Sequence, residues 1–447
     1  MIEELRAELD GIATESDPAS LRIKSRDFFW FSPILKPRLE GREAELIVMP
    51  ANREELARVA AGCVRHRVPL TVRGGGTGNY GQAVPLAGGI VLDMTRLDRV
   101  LNVQPGMGRF EAGARLLEID RQLRPERWEL RFFPSTRKVA TIGGFLAGGA
   151  GGVGSCTWGQ LADPGAVLAA RVLTVEEQPR LIELRGREAL KVAHAYGVNG
   201  IITEVEMPLA PWQPWAERIF AFPSFDAAMR FGHALTAADG IARKLVTVLD
   251  GRIPPLIRRL NPLVPPSHSV ALVMVTEPQA FQAEDLAADQ DGEVVFARGH
   301  EQTEAAAFAG DSEMPPIYEF AWNHTTLHAL RRDPSITYLQ VRLPAGRELE
   351  LAMRLHDDPD GELMLHFEFQ RRFGRVFVSG LPLLRFRSAE HLAGLTAGLE
   401  SMGIELSNPH TSVLDDAGWK KVDAPQRAFK QLADPFSLMN PGKLVVA

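Results

Sequence analysis

The chain has 447 residues and a formal net charge of −6, with 45% hydrophobic and 24% charged residues. This length predicts two or three domains with a core that needs no disulfide staples, and the acidic balance gives no reason to expect nucleic acid as a partner. Two cysteines are too few for a disulfide framework, no apolar run reaches the ~18 residues of a membrane-spanning helix, and residues 1–8 do not resemble a secretory signal. We therefore expect a cytoplasmic protein without an integral membrane segment.

The first 42 residues are predicted to form an N-terminal arm. Ile2, Leu5 and Leu9 recur at helical spacing, and an aromatic segment follows at residues 28–31. We expect this aromatic segment to pack the arm against the body of the protein rather than to bind a ligand.

A glycine-rich loop, RGGGTGNYG at residues 73–81, follows an apolar run that predicts a buried strand. Glycines this dense permit positive φ and let successive backbone N–H groups converge on a phosphate. The loop also matches the dinucleotide-binding pattern G-x-G-x-x-G, but Pro85, Gly88 and Gly89 stand where that pattern requires a helix. We therefore predict a phosphate-holding loop between two strands, the second at 90–94, and not a Rossmann unit.

A second glycine cluster spans residues 134–155, with seven glycines between positions 143 and 154. Flexible linkers are rich in serine and other polar residues, whereas this cluster also carries Ile142, Phe145, Leu146 and Val153. That composition favours close packing against a flat ligand over a linker.

The rest of the chain alternates helical and strand-like stretches. Up to residue 209 the alternation lacks long helical crossovers, which predicts a mixed α+β domain. Residues 210–215 hold two prolines and two tryptophans and are predicted to form a linker. Beyond it we expect helices at 225–235 and 281–289, and strands at 270–275, 339–343 and 375–379.

Several spaced motifs occur in a recognisable order. They are R-G-G-G-T-G-x-x-G at 73–81, G-G-I-V-L-D-M at 88–94, E-A-G at 111–113, P-S at 134–135 with A-T-I-G-G at 140–144, G-x-N-G-I-I-T-E-V at 197–205, and D-P-x-x-x-x-N-P-G-K at 434–443. This series resembles the FAD-binding domain of the vanillyl-alcohol oxidase and p-cresol methylhydroxylase (PCMH-type) flavoprotein family. The closer resemblance is to its D-2-hydroxy-acid dehydrogenase branch, whose members act on glycolate, D-lactate or D-2-hydroxyglutarate.

The resemblance implies FAD as the cofactor and assigns residues to its parts. The first loop would wrap the pyrophosphate, the second cluster would line the flavin and its ribityl chain, and the 197–205 motif would hold the adenine side. The residues so implied, with two from the C-terminal motif, are Arg73, Gly74, Gly75, Gly76, Thr77, Gly78, Asn79, Gly81, Pro134, Ser135, Thr141, Ile142, Gly143, Gly144, Gly152, Ser155, Trp158, Gly159, Gly200, Ile201, Ile202, Asn440 and Lys443.

The attachment of the flavin is predicted to be non-covalent. Many members of the family tether the flavin through a histidine in the first loop, and here Thr77 stands at that place. A second tether, a cysteine before the T-I-G-G motif, is also missing, since Arg137 falls near it. Cys156 lies after the cluster and does not align with the tether.

The resemblance also implies the domain organisation. We expect an α+β fold with four segments. They are an N-terminal arm at 1–42, a PCMH-type FAD-binding domain at 43–212, an inserted antiparallel-sheet cap at 213–405, and a C-terminal segment at 406–447 that returns to the FAD domain.

Oxidation of a hydroxy acid requires a base for the hydroxyl proton and a cation or hydrogen-bond donors for the carboxylate. Histidine suits the first role and arginine the second. His410 falls roughly where the branch carries a glutamate-histidine-glycine motif and is our first candidate for the base, with a structural role as the alternative. His324 and Arg342 complete the catalytic candidates.

No metal site is predicted. His324 and His328 are four residues apart and would share one face of a helix, but without a matched carboxylate a pair of surface or core histidines is favoured over a metal pair. The branch's H-x-x-D-G-N-x-H-like segment is not reproduced at residues 365–374, and Pro409 stands where the ligand glutamate would be expected.

We therefore predict an FAD-dependent oxidoreductase that oxidises a small alcohol, foremost a 2-hydroxy carboxylate, by hydride transfer to flavin N5. Two alternatives stay open. One is a same-fold oxidase of a sugar, aromatic alcohol or amine, and the other is a flavin-carrying electron-transfer subunit of a larger complex. The electron acceptor is not determined by the sequence, and a partner subunit or homo-oligomer is compatible with it.

Overall fold

The computed structural model describes residues 1–149, 151–310, 313–358, 361–418, 420 and 422–445. In this part of the chain the helices are α1 Ile2–Glu8, α2 Pro18–Lys24, α3 Leu35–Leu39, α4 Arg53–Arg65, α5 Leu116–Leu123, α6 Ile142–Gly148, α7 Ser155–Trp158, α8 Phe225–Ala237, α9 Ala280–Ala288, α10 His300–Ala309, α11 Asn323–Arg332, α12 Glu348–His356, α13 Ala389–Ser401 and α14 Ala424–Ala433. The strands are β1 Ala13–Glu15, β2 Leu46–Met49, β3 Leu70–Arg73, β4 Ile90–Asp93, β5 Val100–Gln104, β6 Met107–Glu111, β7 Trp128–Leu130, β8 Ala169–Leu173, β9 Leu181–Arg185, β10 Ile201–Pro211, β11 Trp215–Phe222, β12 Arg243–Leu249, β13 Ser269–Thr276, β14 Glu293–Arg298, β15 Ile336–Tyr338, β16 Gln340–Arg342, β17 His366–Arg372, β18 Arg375–Gly380, β19 Leu383–Arg385 and β20 Glu405–Ser407.

A four-stranded sheet in the order β1-β2-β4-β3 carries the first glycine loop. Strands β2 and β3 both pair with β4 in parallel, and α4 covers the sheet with the buried side chains Leu56, Val59 and Cys63. The Asn52 side chain caps α4 by accepting a hydrogen bond from the Glu55 N–H group at 2.9 Å. The loop leaves the end of β3 and reaches β4 without forming a helix, so the predicted strand–loop–strand unit is confirmed and the Rossmann unit is absent at this loop.

A second sheet, in the order β5-β6-β10-β8-β9 with β7 beside β10, is antiparallel throughout. Its longest strand, β10, is buried over all but its last residue, Pro211. Helices α5 and α6 pack on this sheet through Leu116, Ile119, Ile142 and Leu146, which share one hydrophobic core. Helix α6 lies inside the second glycine cluster, where no helix was predicted.

The middle of the chain forms an eight-stranded antiparallel sheet in the order β14-β11-β13-β12-β17-β18-β16-β20. Its two faces follow the two-residue alternation of a strand. In β12, Leu245 and Leu249 join the core below the sheet together with Phe132, while Val246 and Val248 pack with the helices above it. Strand β20 crosses the predicted boundary at 405/406, and the domain boundaries stay a prediction.

The C-terminal segment returns to the first sheet. The Leu70 N–H donates to Leu438 O at 2.9 Å, and the Asn440 N–H donates to Leu70 O at 2.7 Å. The α+β class, the antiparallel cap and the C-terminal return are therefore confirmed. Among the described residues, no helix combines the length and the apolarity that a bilayer crossing demands.

Candidate FAD and substrate site

A cavity of about 290 Å³ lies where the two glycine segments meet the cap. Its walls come from residues 72–83 of the first loop, 134–151 of the second cluster, 194–202 before and within β10, and the cap positions 322–327, 340 and 379–381. Segments distant in the sequence therefore converge on one space.

Most residues predicted to hold the cofactor line this cavity, and some lie behind its wall. Those on the wall are Arg73, Gly74, Gly75, Gly76, Thr77, Gly78, Asn79, Pro134, Ser135, Thr141, Gly143, Gly144, Gly200 and Ile202. Those outside the lining are Gly81, Ile142, Gly152, Ser155, Trp158, Gly159, Ile201, Asn440 and Lys443. The individual cofactor contacts stay predictions.

The two glycine segments pack directly against each other. A Cβ atom added at Gly74 would overlap the Thr141 side chain, and one added at Gly75 would overlap the backbone of Val139. Gly76 has a φ of +64°, which side-chain-bearing residues rarely adopt. Glycine is required here because only bare backbone fits, and the result is a cradle whose N–H groups remain close to the cavity.

The residues of the C-terminal motif anchor this cradle from behind. The Asn440 side-chain amide donates to Gln82 O at 2.8 Å and to Tyr196 O at 2.6 Å. The fully buried Lys443 ammonium donates to Gly81 O at 2.5 Å. The motif thus fixes two wall segments relative to each other, because one side chain satisfies carbonyl groups on both.

Charged groups lie buried beside the loop. Burial raises the pKa of Asp27 to about 6, against the opposing effects of the Ala83 N–H, Lys443, the Phe29 N–H and Arg73. Burial lowers the pKa of Arg73, while Asp27 and Asp93 oppose that shift. The Arg73 guanidinium donates to the carbonyl oxygens of Lys24 and Arg26, so the N-terminal arm fixes the only guanidinium that lines the cavity among the described residues.

The second cluster is ordered by two local hydrogen bonds. Thr141 caps α6 by accepting from the Gly144 N–H at 3.2 Å, and the Ser155 hydroxyl accepts from the Gly152 N–H at 3.0 Å. A Cβ at Gly152 would overlap the Phe133 carbonyl. Gly152 and Ser155 therefore shape the turn behind the wall rather than the wall itself.

Several buried polar atoms at the wall have no hydrogen-bond partner among the described residues. They include the indole nitrogen Nε1 of Trp322, the amide oxygen Oδ1 of Asn323 and the hydroxyl of Tyr196. Buried polar groups in folded proteins are almost always paired. These atoms and the glycine cradle fit a large ligand that has both anionic and polar heterocyclic parts, as FAD does.

His324, at the start of α11, is the one predicted catalytic residue on the cavity wall. Its Nδ1 lies 2.8 Å from the Glu319 carboxylate oxygen Oε2. His328 turns back instead and bonds Glu319 O at 3.0 Å, and burial lowers its pKa to about 4. Within the described ranges no group of three or more His, Cys, Asp or Glu side chains is arranged to hold a metal ion.

The other two catalytic candidates lie outside the cavity lining. The His410 ring is held on both sides, with Nδ1 2.8 Å from the Ser32 hydroxyl and Nε2 3.0 Å from Tyr338 O. Burial lowers its pKa to about 4, which describes a neutral packing histidine. Arg342 pairs with Glu405 at 3.0 Å. Neither side chain is positioned to touch a molecule in the cavity.

Sequence reasoning missed part of the wall. Phe28 and Phe31 line the cavity, so the aromatic segment both packs the arm and forms the site. Uncharged polar side chains of the wall were also missed, among them Gln160, Gln340 and Ser379. His194 and the tyrosines Tyr80 and Tyr196 were missed as well.

Comparison with known proteins agrees with this geometry. Residues 44–177 match the model of the FAD binding domain. The glycolate oxidase subunit GlcD of Escherichia coli K12 is 31% identical over 212 residues, which span 45% of this chain and 41% of that protein. GlcD of Bacillus subtilis is 24% identical over 439 residues, 90% of this chain and 88% of that protein. D-2-hydroxyglutarate dehydrogenase of Pseudomonas putida is 38% identical over 130 residues, 27% of this chain and 12% of that protein.

A solved structure of alkyldihydroxyacetonephosphate synthase aligns with a TM-score of 0.70 at 16% identity, over 99% of this chain and 85% of that one, and shares the fold. The protein is a flavoprotein with an FAD-binding domain of the PCMH type, and FAD is its cofactor. The chain is also similar in sequence to D-lactate dehydrogenase of Anaerostipes hadrus, at 28% identity over 180 residues, 37% of this chain and 36% of that protein.

Proposed function

We propose that the protein oxidises the CH–OH group of a small 2-hydroxy carboxylate with non-covalently bound FAD. The observation that carries the proposal is one cavity that joins the glycine cradle to a histidine–carboxylate pair on the cap side. The names of the relatives support the substrate class. The E. coli relative is matched over less than half of its length. The proposed substrate class therefore depends on the chemistry of the residues that line the cavity.

FAD supplies a hydride acceptor when it is bound. The chain must supply the base, because the hydroxyl proton has to leave as the hydride departs. His324 fits that role, since its Nδ1 lies 2.8 Å from the Glu319 carboxylate, whose negative charge stabilises the imidazolium form after proton uptake. The opposite ring nitrogen, Nε2, is then the atom that takes the proton.

The rest of the cap wall orients the substrate and excludes water. The unpaired indole N–H of Trp322 and the side chains of Asn79 and Asn323 supply hydrogen-bond donors for a carboxylate. Leu327 and Leu381 give that end of the cavity an apolar surface, which strengthens the polar contacts inside it.

A second candidate is an uncharged alcohol, such as a sugar or an aromatic alcohol. It is favoured by the neutral character of the cap wall. Arg73 is the one lysine or arginine that lines the cavity in the described residues, and it is bound by backbone carbonyls of the arm. A carboxylate would thus be bound without a guanidinium from the cap.

Anaerobic reduction of the bound flavin tests both candidates. The protein is mixed with glycolate, D-lactate, L-lactate and D-2-hydroxyglutarate, and in parallel with neutral alcohols. The proposal predicts that at least one 2-hydroxy acid bleaches the flavin faster than every neutral alcohol. Bleaching by neutral alcohols alone would establish the second candidate. If no alcohol bleaches the flavin while the dithionite-reduced protein passes electrons to an artificial dye, an electron-transfer subunit is the better description.

A further inference from the structure

A surface patch of arginine and aromatic side chains lies where α7 meets the β17–β18 hairpin. We call it the arginine–aromatic patch, and it consists of Arg131, Trp158, Arg371, Arg372, Phe373 and Arg375. Phe373 is 79% exposed and Trp158 is 40% exposed. The Arg131 guanidinium lies 4.4 Å from the Trp158 ring centre, and that of Arg372 lies 5.5 Å from the Phe373 ring centre. Large aromatic groups beside arginine are typical of protein interfaces.

The patch carries an excess of positive charge. Arg371 pairs with Asp239 at 2.5 Å and Arg372 with Asp163 at 2.7 Å. In the part of the chain that the structure describes, Arg131 and Arg375 form no ion pair with a carboxylate. Four guanidinium groups therefore face two carboxylates, in a chain whose net charge is −6. A local field of this sign attracts an acidic surface.

The patch is also continuous with the wall of the FAD cavity. Gln160, two residues after Trp158, lines the cavity. Its amide donates to Gln370 Oε1 at 3.0 Å, and the Gln370 amide donates to the Ser379 hydroxyl at 2.5 Å. Gln370 immediately precedes the patch residues of β17, and Ser379 lies on the cavity wall. Two hydrogen-bonded glutamine side chains thus link the strand that carries the patch to the cavity wall.

We propose that the arginine–aromatic patch is the docking surface for an acidic redox protein that accepts electrons from the reduced FAD. The reduced cofactor gives up two electrons in total and releases one proton, and each one-electron acceptor molecule takes one electron. The aromatic groups supply the contact area, and the guanidinium groups select the sign of the partner's charge. The inference depends on the FAD cavity and not on which alcohol is oxidised.

Reoxidation kinetics test the charge selection without any substrate. The holoprotein is reduced with dithionite and mixed with excess ferricyanide or, separately, with the cationic oxidant hexaammineruthenium(III). We expect ferricyanide to react more slowly as the salt concentration rises, and the cationic oxidant to react faster. Two variants of the patch are compared, Arg375→Glu and Phe373→Ser. Their matched controls are the separate variants Arg354→Glu on α12 and Phe281→Ser on α9, which lie on the helices that cover the opposite face of the cap sheet. Arg375→Glu should slow ferricyanide about threefold or more at low salt, and Arg354→Glu should not.

Binding gives a readout that needs no electron transfer. An acidic flavodoxin serves as the probe, basic cytochrome c as its opposite, and titration calorimetry at low salt as the measurement. We expect flavodoxin to bind, with affinity reduced about fivefold or more by Arg375→Glu and by Phe373→Ser, and cytochrome c not to bind. Equal binding of flavodoxin to every variant would overturn the proposal. The proposal would also be overturned if the protein bound phosphatidylglycerol vesicles, or formed a dimer, instead of binding flavodoxin, and Arg375→Glu abolished that vesicle binding or that dimer. Loss of flavin binding would contradict the function proposed above instead.

Discussion

The ammonium group of Lys443 donates a hydrogen bond to the carbonyl oxygen of Gly81, although the two residues are 362 positions apart. Lys443 has no exposed surface, and burial lowers its pKa to about 8, with Asp27 opposing the shift. A buried charge is stable only when its donors are used. The C-terminal part of the described chain therefore supports the glycine loop by holding the Gly81 carbonyl in place.

Replacement of this support should weaken the flavin site. Lys443→Met keeps the length of the side chain but leaves Gly81 O without its donor, which costs about 2 kcal/mol. We expect a lower free energy of unfolding and roughly tenfold weaker FAD binding, measured by denaturant titration and by flavin fluorescence. Lys36→Met, at an exposed position on α3, is the control. Unchanged flavin binding in Lys443→Met would remove the supporting role.

The packing of the two glycine segments gives a second prediction. Gly75→Ala adds one methyl group where the Val139 backbone already lies, so the loop must move away from the second cluster. Overpacking of this kind costs about 1–3 kcal/mol. We expect Gly75→Ala to purify with little flavin and to regain it only at high FAD concentration. Gly398→Ala in α13, where the added methyl meets open space, should keep a full complement of flavin.

The raised pKa of Asp27 predicts a specific dependence of stability on pH. A carboxyl group whose folded-state pKa is about 6 favours folding when it is protonated, and this contribution is lost as the pH rises from about 4 to 6. The free energy of unfolding of the native protein, relative to that of Asp27→Asn, should therefore fall by about 2 kcal/mol between pH 4 and pH 7. Urea titrations at several pH values measure the difference. A constant difference would show that Asp27 is ionised throughout.

The histidine–carboxylate pair gives a prediction about catalysis. His324→Gln removes the base and should lower the rate of flavin reduction by about 10²–10⁴-fold, with little change in the dithionite-reduced spectrum. Glu319→Gln should have a smaller effect in the same direction, since the ring remains but loses its carboxylate partner. His328→Gln, on the same helix but outside the cavity lining, is the control. If stopped-flow measurements show that the flavin is reduced as fast in all three variants as in the native protein, another group takes the proton.

The backbone side of the site could be predicted from the sequence because its requirement is local. The first loop needs glycine where Val139 and Thr141 leave no room for a side chain, and a run of glycines between two strands is visible in a single sequence. The second cluster shows the limit of this reasoning. Glycine disfavours helix, yet α6 forms there because Thr141 caps it and buried Phe145 and Leu146 anchor it.

The cap side could not be predicted because strand register decides it. Ser379 on β18 lines the cavity, whereas Arg342, the residue opposite it on the neighbouring strand β16, does not. His410 carries the right chemistry for a base, but its ring is enclosed between Ser32 and Tyr338. A sequence does not distinguish a histidine held by its own fold from one that faces a ligand, since both depend on residues hundreds of positions away.

The most direct test of the account is the cofactor of the purified protein. Protein denatured after gel filtration should release FAD, identified by mass and by its visible absorbance, in an amount equal to the protein and without a covalently modified peptide. Chain that stays colourless after incubation with FAD would contradict the account, because no carrier for the hydride would then be present.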